Sequence, residues 1–359
     1  METLKEQLFN KDTVTSLLTE LDKYYSLDIE RITTELLTEF ETLELKERIS
    51  SLTRALEREI DAPYLEVLDI FDQCVAGINR GHFVYASLLE YVEKRGVTDE
   101  FIDESLKRLA AYTSTFSSEF AIRTFINEYE TKTLKEVYKW SLSDNTDIRR
   151  LASEGTRPLL PWAVKVNMDY RDSIKWLDNL YSDSERYVTR SVANHLNDIS
   201  KIDPTLVVNT LTRWEKDGKQ ALPEMKYIIN HSLRTLVKRG NELALEFLGY
   251  NLNPVLMIKN LKLDKKEINI GDSVIMSFDI ITNEEKLMID YIVHFQTKSG
   301  KASKKVYKLK QINKKQDVIS ITKKIAFTQR TTRKIYKGIH KVDIQVNGKV
   351  IDSTELKVK

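Results

Sequence analysis

Four groups of side chains in this sequence have types and spacing that could do chemistry. Glu119 stands four residues before Arg123, and Arg150 four before Glu154. Arg190, Asn194 and Asp198 follow one another in steps of four. In a helix each of these sets projects from a single face. The fourth group, Arg157 and Trp162, lies in a segment broken by Gly155, Pro158 and Pro161. Gly155 is placed to end a helix, and the two prolines forbid its resumption, leaving Trp162 on a stiff turn. The chemistry on offer is that of ionised carboxylates, guanidiniums and an aromatic face. Spacing alone is met as well by ordinary surface i,i+4 ion pairs, each contributing a few tenths of a kcal/mol. On that ground the plainer reading has the better claim.

Other chemistries lack their residues. No glycine-rich loop is present to cradle a phosphate. The five histidines (82, 195, 231, 294 and 340) are scattered without metal-ligand spacing, so neither a metal nor a cofactor is expected. One cysteine, Cys74, and the lack of a nucleophile elbow argue against a serine or cysteine hydrolase.

The elements that must position these residues are mostly helices. A chain of 359 residues with 41% hydrophobic content can bury more than one core. Leucine and isoleucine at three- and four-residue spacing predict helices over Thr13–Tyr24, Asp28–Phe40, Leu45–Arg58, Pro63–Phe71, Phe83–Lys94 and Thr98–Tyr112. His82-Phe83-Val84-Tyr85 could line a cleft, although an aromatic cluster at a helix start is more often core. Further helices are expected over Phe116–Tyr129, Thr133–Ser141, Thr146–Glu154, Asp169–Tyr181, Ser184–Ile199, Pro204–Lys216, Pro223–Lys238 and Glu242–Leu248. Three of them recur about 40 residues apart, through Ile148-Arg149-Arg150-Leu151-Ala152, Val188-Thr189-Arg190-Ser191-Val192 and Ile228-Ile229-Asn230-His231-Ser232. That period is a HEAT-like signature, which predicts a mainly α solenoid (an α-α superhelix) with a concave binding face.

After Gly249 the hydrophobic period switches to two. Val274, Met276, Phe278 and Ile280 alternate, as do Ile289, Tyr291, Val293 and Phe295, and then Val342, Ile344 and Val346. Asn283-Glu284, Ser299-Gly300, Lys337-Gly338 and Asn347-Gly348 supply the turns. Seven or eight strands in residues 252–359 predict an all-β immunoglobulin-like sandwich without a disulfide, behind a helical domain spanning 1–251.

The net charge of +2 hides an asymmetry. Residues 252–359 hold 23 Lys and Arg against 11 Asp and Glu, a balance of +12, whereas residues 1–251 carry −10. Such an asymmetry fits a basic end that meets a polyanion, and equally lysines that solubilise a β domain and blunt its edges. The polar start is no signal peptide, no apolar run approaches the roughly 20 residues of a membrane helix, and the lone cysteine suits a reducing compartment. A soluble cytoplasmic protein is expected.

The residues themselves carry more than their spacing. The run Arg149-Arg150-Leu151-Ala152-Ser153-Glu154-Gly155-Thr156-Arg157-Pro158-Leu159-Leu160-Pro161-Trp162 resembles the signature of the AlkC-type DNA alkylation-repair glycosylases. Arg190-Ser191-Val192-Ala193-Asn194-His195-Leu196-Asn197-Asp198-Ile199-Ser200-Lys201 does so too, at the expected distance downstream. Ser118–Arg123 and Phe83–Gly96 resemble further family segments. Thr189 departs from the pattern where a second basic residue is frequent, which bears on one phosphate contact.

The resemblance implies a monofunctional glycosylase that removes cationic N3-alkylated bases, 3-methyladenine and 3-methylcytosine, from double-stranded DNA. By match to the family motif, Glu154 is expected as the principal carboxylate, with Glu119 and Asp198 completing an acidic cluster. Trp162 would offer its ring to the cationic base or the sugar. Arg150, Arg157, Arg190 and Asn194 would contact DNA and keep the acids ionised. The basic sandwich would supply much of the grip, with Lys304, Lys305, Lys308, Lys310, Lys323, Lys324, Arg330, Arg333 and Lys334 as candidates. The resemblance implies no cofactor, no obligate protein partner and a monomer. The other class of reading is a noncatalytic HEAT-repeat module that binds DNA or protein, which would have no need for Glu154, Trp162 and Asp198 together.

Overall fold

A computed structural model describes residues 3–329 and 333–359, so the candidate Arg330 lies outside the described residues. The chain divides into two compact units, Met1–Ile199 with Thr210–Ser232, and Ser200–Asn209 with Leu233–Lys359. The first strand starts at Leu256, close to the expected boundary, while the packing division falls earlier in the chain.

The helices are α1 (Leu4–Leu8), α2 (Lys11–Asp22), α3 (Ile29–Phe40), α4 (Leu45–Glu59), α5 (Tyr64–Val75), α6 (Ala86–Gly96), α7 (Ile102–Tyr112) and α8 (Ile122–Glu128). They continue as α9 (Glu130–Trp140), α10 (Thr146–Glu154), α11 (Ile174–Leu180), α12 (Arg186–Ser200), α13 (Pro204–Asp217), α14 (Leu222–Lys238) and α15 (Glu242–Phe247). Among the described residues no helix is long and apolar enough to cross a membrane.

The 40-residue period becomes stacking within the first unit. Ser191 Oγ on α12 lies 2.9 Å from Ser153 Oγ on α10. His231 on α14 meets Asn194 Oδ1 on α12 at 2.8 Å. The helix α10 starts where Asn145 Oδ1 accepts from the amides of Asp147 and Ile148, at 2.8 and 3.2 Å. Its apolar stripe, Leu151 and Ala152, is buried.

Four expected helices begin about a turn or more later in the structure: Phe83–Lys94 at Ala86 after a 3-10 turn, Thr98–Tyr112 at Ile102, and also Phe116–Tyr129 and Asp169–Tyr181. Phe116–Tyr129 is helical only from Ile122, because side chains capture the backbone before it. The amide of Ser118 donates to Thr113 Oγ1 at 3.2 Å, and Ser118 Oγ donates to the Leu109 carbonyl at 2.6 Å. Glu119 therefore sits on a turn, outside any helix. Asp169–Tyr181 likewise opens with a 3-10 turn over Tyr170–Ser173, where Asp169 Oδ1 accepts from the Arg171 amide at 2.9 Å.

The strands of the second unit are β1 (Leu256–Leu263), β2 (Glu267–Ile268), β3 (Ser273–Thr282), β4 (Leu287–Gln296), β5 (Ala302–Ile312), β6 (Val318–Ala326), β7 (Gly338–Val346) and β8 (Lys349–Val358). They form a sheet of order β1-β3-β6 and another of order β2-β8-β7-β4-β5. The alternating residues of β3, β4 and β7 converge in one core between the sheets, as in an immunoglobulin-like sandwich. Asn347 (φ 46) and Gly348 (φ 82) make the expected tight turn between β7 and β8. Gly348 has a further constraint: a Cβ there would lie 2.6 Å from the Gly240 Cα, so only glycine permits that approach.

Candidate active site

Glu119, Arg150, Glu154, Arg157 and Asp198 form one alternating chain of acids and bases. Arg150 NH1 donates to Glu119 Oε2 at 2.6 Å, and its NH2 lies 3.8 Å from Glu154 Oε2. Arg157 donates through NH1 to Glu154 Oε1 and through Nε to Asp198 Oδ2, the latter at 2.9 Å. Three segments far apart in sequence are thus joined by two guanidiniums.

The chain grades from surface to interior. The side chain of Glu119 is 17% exposed, that of Glu154 7% and that of Asp198 2%. Ser117 Oγ also donates to Glu119 Oε2, at 2.9 Å. Glu154 Oε2 accepts from Ser191 Oγ at 2.6 Å. Burial by itself would raise the Glu154 carboxyl, but Arg150, Arg157 and the Ser191 hydroxyl outweigh it and hold the group below the usual carboxylate range. Glu154 is therefore an ionised carboxylate inside the protein. Beneath it His195 is fully buried, and its Nδ1 lies 2.9 Å from the Ser153 carbonyl oxygen. Desolvation takes the imidazole down to about 4, which keeps it neutral and makes Nδ1–H a donor.

The loop after α10 is pinned at both ends by a residue whose partners differ from those its spacing suggests. Arg123 was expected to pair with Glu119 across a helical turn. Because Glu119 precedes the helix, Arg123 turns inward and NH1 donates to the Gly155 and Arg157 carbonyls, each at 2.9 Å. Its Nε donates to the Val164 carbonyl. Gly155 has an ordinary helical φ of −65° and is needed for space, since a Cβ would come 2.6 Å from Ile122 Cγ2. The loop presents Trp162 with its side chain outward, 65% exposed, at a left-handed φ of 66°. Lys46 Nζ donates to the Trp162 carbonyl and lies 5.7 Å from the centre of the Phe120 ring. One lysine thus ties the Trp162 loop to the residue beside Glu119.

The basic residues expected to meet DNA divide by environment. Arg157 is 8% exposed and engaged by two carboxylates, so its guanidinium faces inward and is not presented to a phosphate. Arg150 is likewise turned into the carboxylate chain, with its guanidinium carbon 5.0 Å from the Tyr187 ring centre. Arg190 is exposed, while Asn194 is half-buried beside His231. In the second unit Lys304 and Lys305 are exposed neighbours on β5, an edge strand, and point to opposite faces. Lys304 pairs with His294 and Lys305 with the core residue Val293. Among the described residues no cluster of three His, Cys, Asp or Glu could hold a metal ion.

Sequence reasoning left Lys46, Ser117, Tyr187 and Ser191 without a role. Ser191 and Tyr187 lie in or beside a quoted motif. Lys46 had no signal, because its partner is 116 residues away.

A helical unit holding a partly buried acid–base chain and a second unit built on an immunoglobulin-like sandwich define a two-part class of chain. Residues 42–249 match the DNA alkylation repair enzyme family, and the protein belongs to it. Residues 257–359 match the C-terminal Ig-like domain described for the uncharacterised protein YhaZ. The uncharacterized protein YhaZ of Bacillus subtilis (strain 168) is 34% identical, over the full length of both chains. The Pseudomonas fluorescens alkylpurine DNA glycosylase AlkC, solved bound to DNA containing an abasic site analog, superposes with a TM-score of 0.91 at 31% identity, covering 100% of each chain.

Proposed function

We propose that this protein is a monofunctional DNA glycosylase that hydrolyses the N-glycosidic bond of cationic N3-alkylated bases, 3-methyladenine and 3-methylcytosine, in duplex DNA. The observation that carries this reading is the carboxylate chain itself: an acid at the surface, backed by a buried ionised acid, beside an exposed tryptophan on a pinned loop. Membership of the alkylation-repair family and the likeness to an alkylpurine glycosylase point the same way.

N3 alkylation places a positive charge on the base, which makes it a good leaving group. Its departure leaves an oxocarbenium-like sugar, whose charge a fixed carboxylate stabilises. Glu119 is the acid best placed to face that sugar and to orient or deprotonate the attacking water, because it is the most exposed of the three. Glu154, to which the family motif gives the leading part, acts from behind it through Arg150, and Asp198 anchors the far end. Trp162 lays its ring against the cationic base or deoxyribose, a contact contributing about 0.5–2 kcal/mol. Water is the nucleophile, so no lysine amine and no lyase step enter. The helical unit is read as a HEAT-like solenoid, working as a monomer in the cytoplasm on nucleoid DNA, with Arg190, Asn194, Lys304 and Lys305 meeting the duplex.

The test is release of free methylated base from methylated duplex DNA by purified protein, across 3-methyladenine, 3-methylcytosine and 7-methylguanine. Excision of N3-methyl bases that is lost in Glu119→Gln supports the reading. A protein that binds the duplex and releases no base would replace it with a noncatalytic DNA-binding module.

A further inference from the structure

A pocket of about 550 Å³ opens beside the carboxylate chain, between the 77–82 loop, the 113–117 turn and the start of α12. Arg80, Ser114, Asp147, Tyr187 and Arg190 line it, with Ser117 at the edge shared with Glu119. Arg80 and Arg190 are both exposed, and among the described residues neither makes an ion pair. This sets them apart from the arginines nearby. Arg149 is bound to Asp183, Arg150 to Glu119, Arg157 to Glu154 and Asp198, and Arg186 to Glu224. These four guanidiniums each have an acid, and Arg123 is spent on backbone carbonyls, whereas Arg80 and Arg190 converge on one pocket with no such acid among the described residues.

Their placement is built. Arg80 adopts a left-handed φ of 57°, uncommon for a residue with a Cβ. Its amide donates to the Ser114 carbonyl at 2.9 Å and the Gly81 amide to the Thr115 carbonyl at 2.8 Å, which holds the loop on the turn. The Arg80 guanidinium carbon lies 5.9 Å from the Tyr187 ring centre and that of Arg150 5.0 Å from it. Tyr187 is one helical turn from Arg190 on α12. The one acid of the pocket, Asp147, leaves an excess of positive charge.

We propose that this pocket seats one backbone phosphodiester of the DNA, gripped by Arg80 and Arg190 with the Ser114 hydroxyl, and that the grip sets the register in which the neighbouring sugar meets Glu119. Guanidiniums suit this ligand because their planar fork matches phosphate oxygens. Contacts to the backbone fix register without reading sequence. The inference rests on the glycosylase reading and adds to it a residue, Arg80, that lies outside the motifs, and a place for the phosphate next to the reacting sugar.

The experiment uses the full-length protein and a duplex carrying an abasic-site analogue, with affinity followed by fluorescence anisotropy over a series of KCl concentrations. Arg80→Gln and Arg190→Gln should each weaken binding, and each should reduce the slope of log K against log salt by about 0.9, the value for one phosphate. The double variant should lose no more slope than either single variant, because both arginines hold the same phosphate. Asp147→Asn should tighten binding. In single-turnover excision at saturating protein, Arg80→Gln should be slowed, which weaker affinity alone would not cause. A double variant with the affinity and salt slope of the unsubstituted protein overturns this inference and leaves the glycosylase reading intact. Failure of the unsubstituted protein to bind the duplex overturns both.

Discussion

Arg157 donates from Nε to Asp198 Oδ2 at 2.9 Å, and both side chains are buried. The same guanidinium holds Glu154, so its removal leaves two acids in the interior without that partner. Breaking a buried pair on one side typically costs about 3–5 kcal/mol. We expect Arg157→Ala to lower stability by that order in chemical denaturation. Arg190→Ala, at an exposed position, should stay within about 0.5 kcal/mol. Equal effects of the two substitutions would mean that Arg157 is not the keystone of the carboxylate chain.

Glu119→Gln should separate chemistry from folding. Its side chain is partly exposed and its partners Arg150 and Ser117 can still meet an amide oxygen. Excision should fall about 10²–10³-fold, the loss typical of one electrostatic contact to a transition state, with little change in melting temperature. Glu154→Gln should lower both rate and stability, since it places a neutral amide between the buried Arg157 and the half-buried Arg150 guanidiniums. Full activity in Glu119→Gln would return the leading part to Glu154.

Trp162 is exposed enough that truncation removes little packing. Trp162→Ala should therefore reduce excision while leaving unfolding unchanged. Trp162→Gly should be more stable than Trp162→Ala by about 1 kcal/mol, because only glycine takes a left-handed backbone without a Cβ clash. Matching melting curves for the alanine and glycine variants would show that the loop relaxes away from φ 66°.

Glu93 predicts a pH dependence with a definite sign. It lines a mostly apolar pocket with Lys46, Phe116 and Phe120, and burial pushes its carboxyl up to about 7. The folded protein thus keeps a proton that the unfolded chain releases near the ordinary glutamate value. Glu93 then costs stability progressively as pH rises from about 4.5 through about 7. Glu93→Gln, which keeps an acceptor for the Thr124 hydroxyl, should match the original protein at pH ~5 and exceed it by about 1–2 kcal/mol at pH ~8. A stability difference that does not vary with pH would locate the effect elsewhere.

Lys304 and Lys305 test the proposed contact between the edge strand and DNA, and the face it would use. They project oppositely, so a flat contact can use only one of them. Lys304→Gln and Lys305→Gln should differ, with one reducing the salt slope of binding by about 0.9 and the other leaving it unchanged. Equal loss from both would point to DNA wrapping the edge.

The sequence by itself determined the order of helices and strands, because 3.6- and two-residue periods are local properties of the chain. It also determined the Asn347-Gly348 turn and the set of polar residues worth attention, since Glu154, Trp162 and Asp198 stand in recognisable runs. Spacing also paired Arg150 with Glu154, which do approach to 3.8 Å, but it could not set the other partners. The spacing paired Arg123 with Glu119, but the hydroxyls of Thr113 and Ser118 capture the turn and leave Glu119 outside the helix. Arg123 then closes the loop on carbonyls 32 to 41 residues away. Likewise Arg157 reads as a surface arginine beside two prolines, and only the stacking of α10 on α12 brings Asp198 beneath it. Ion pairs and burial depend on distances through space, and those are decided when the repeats pack; no local period encodes them.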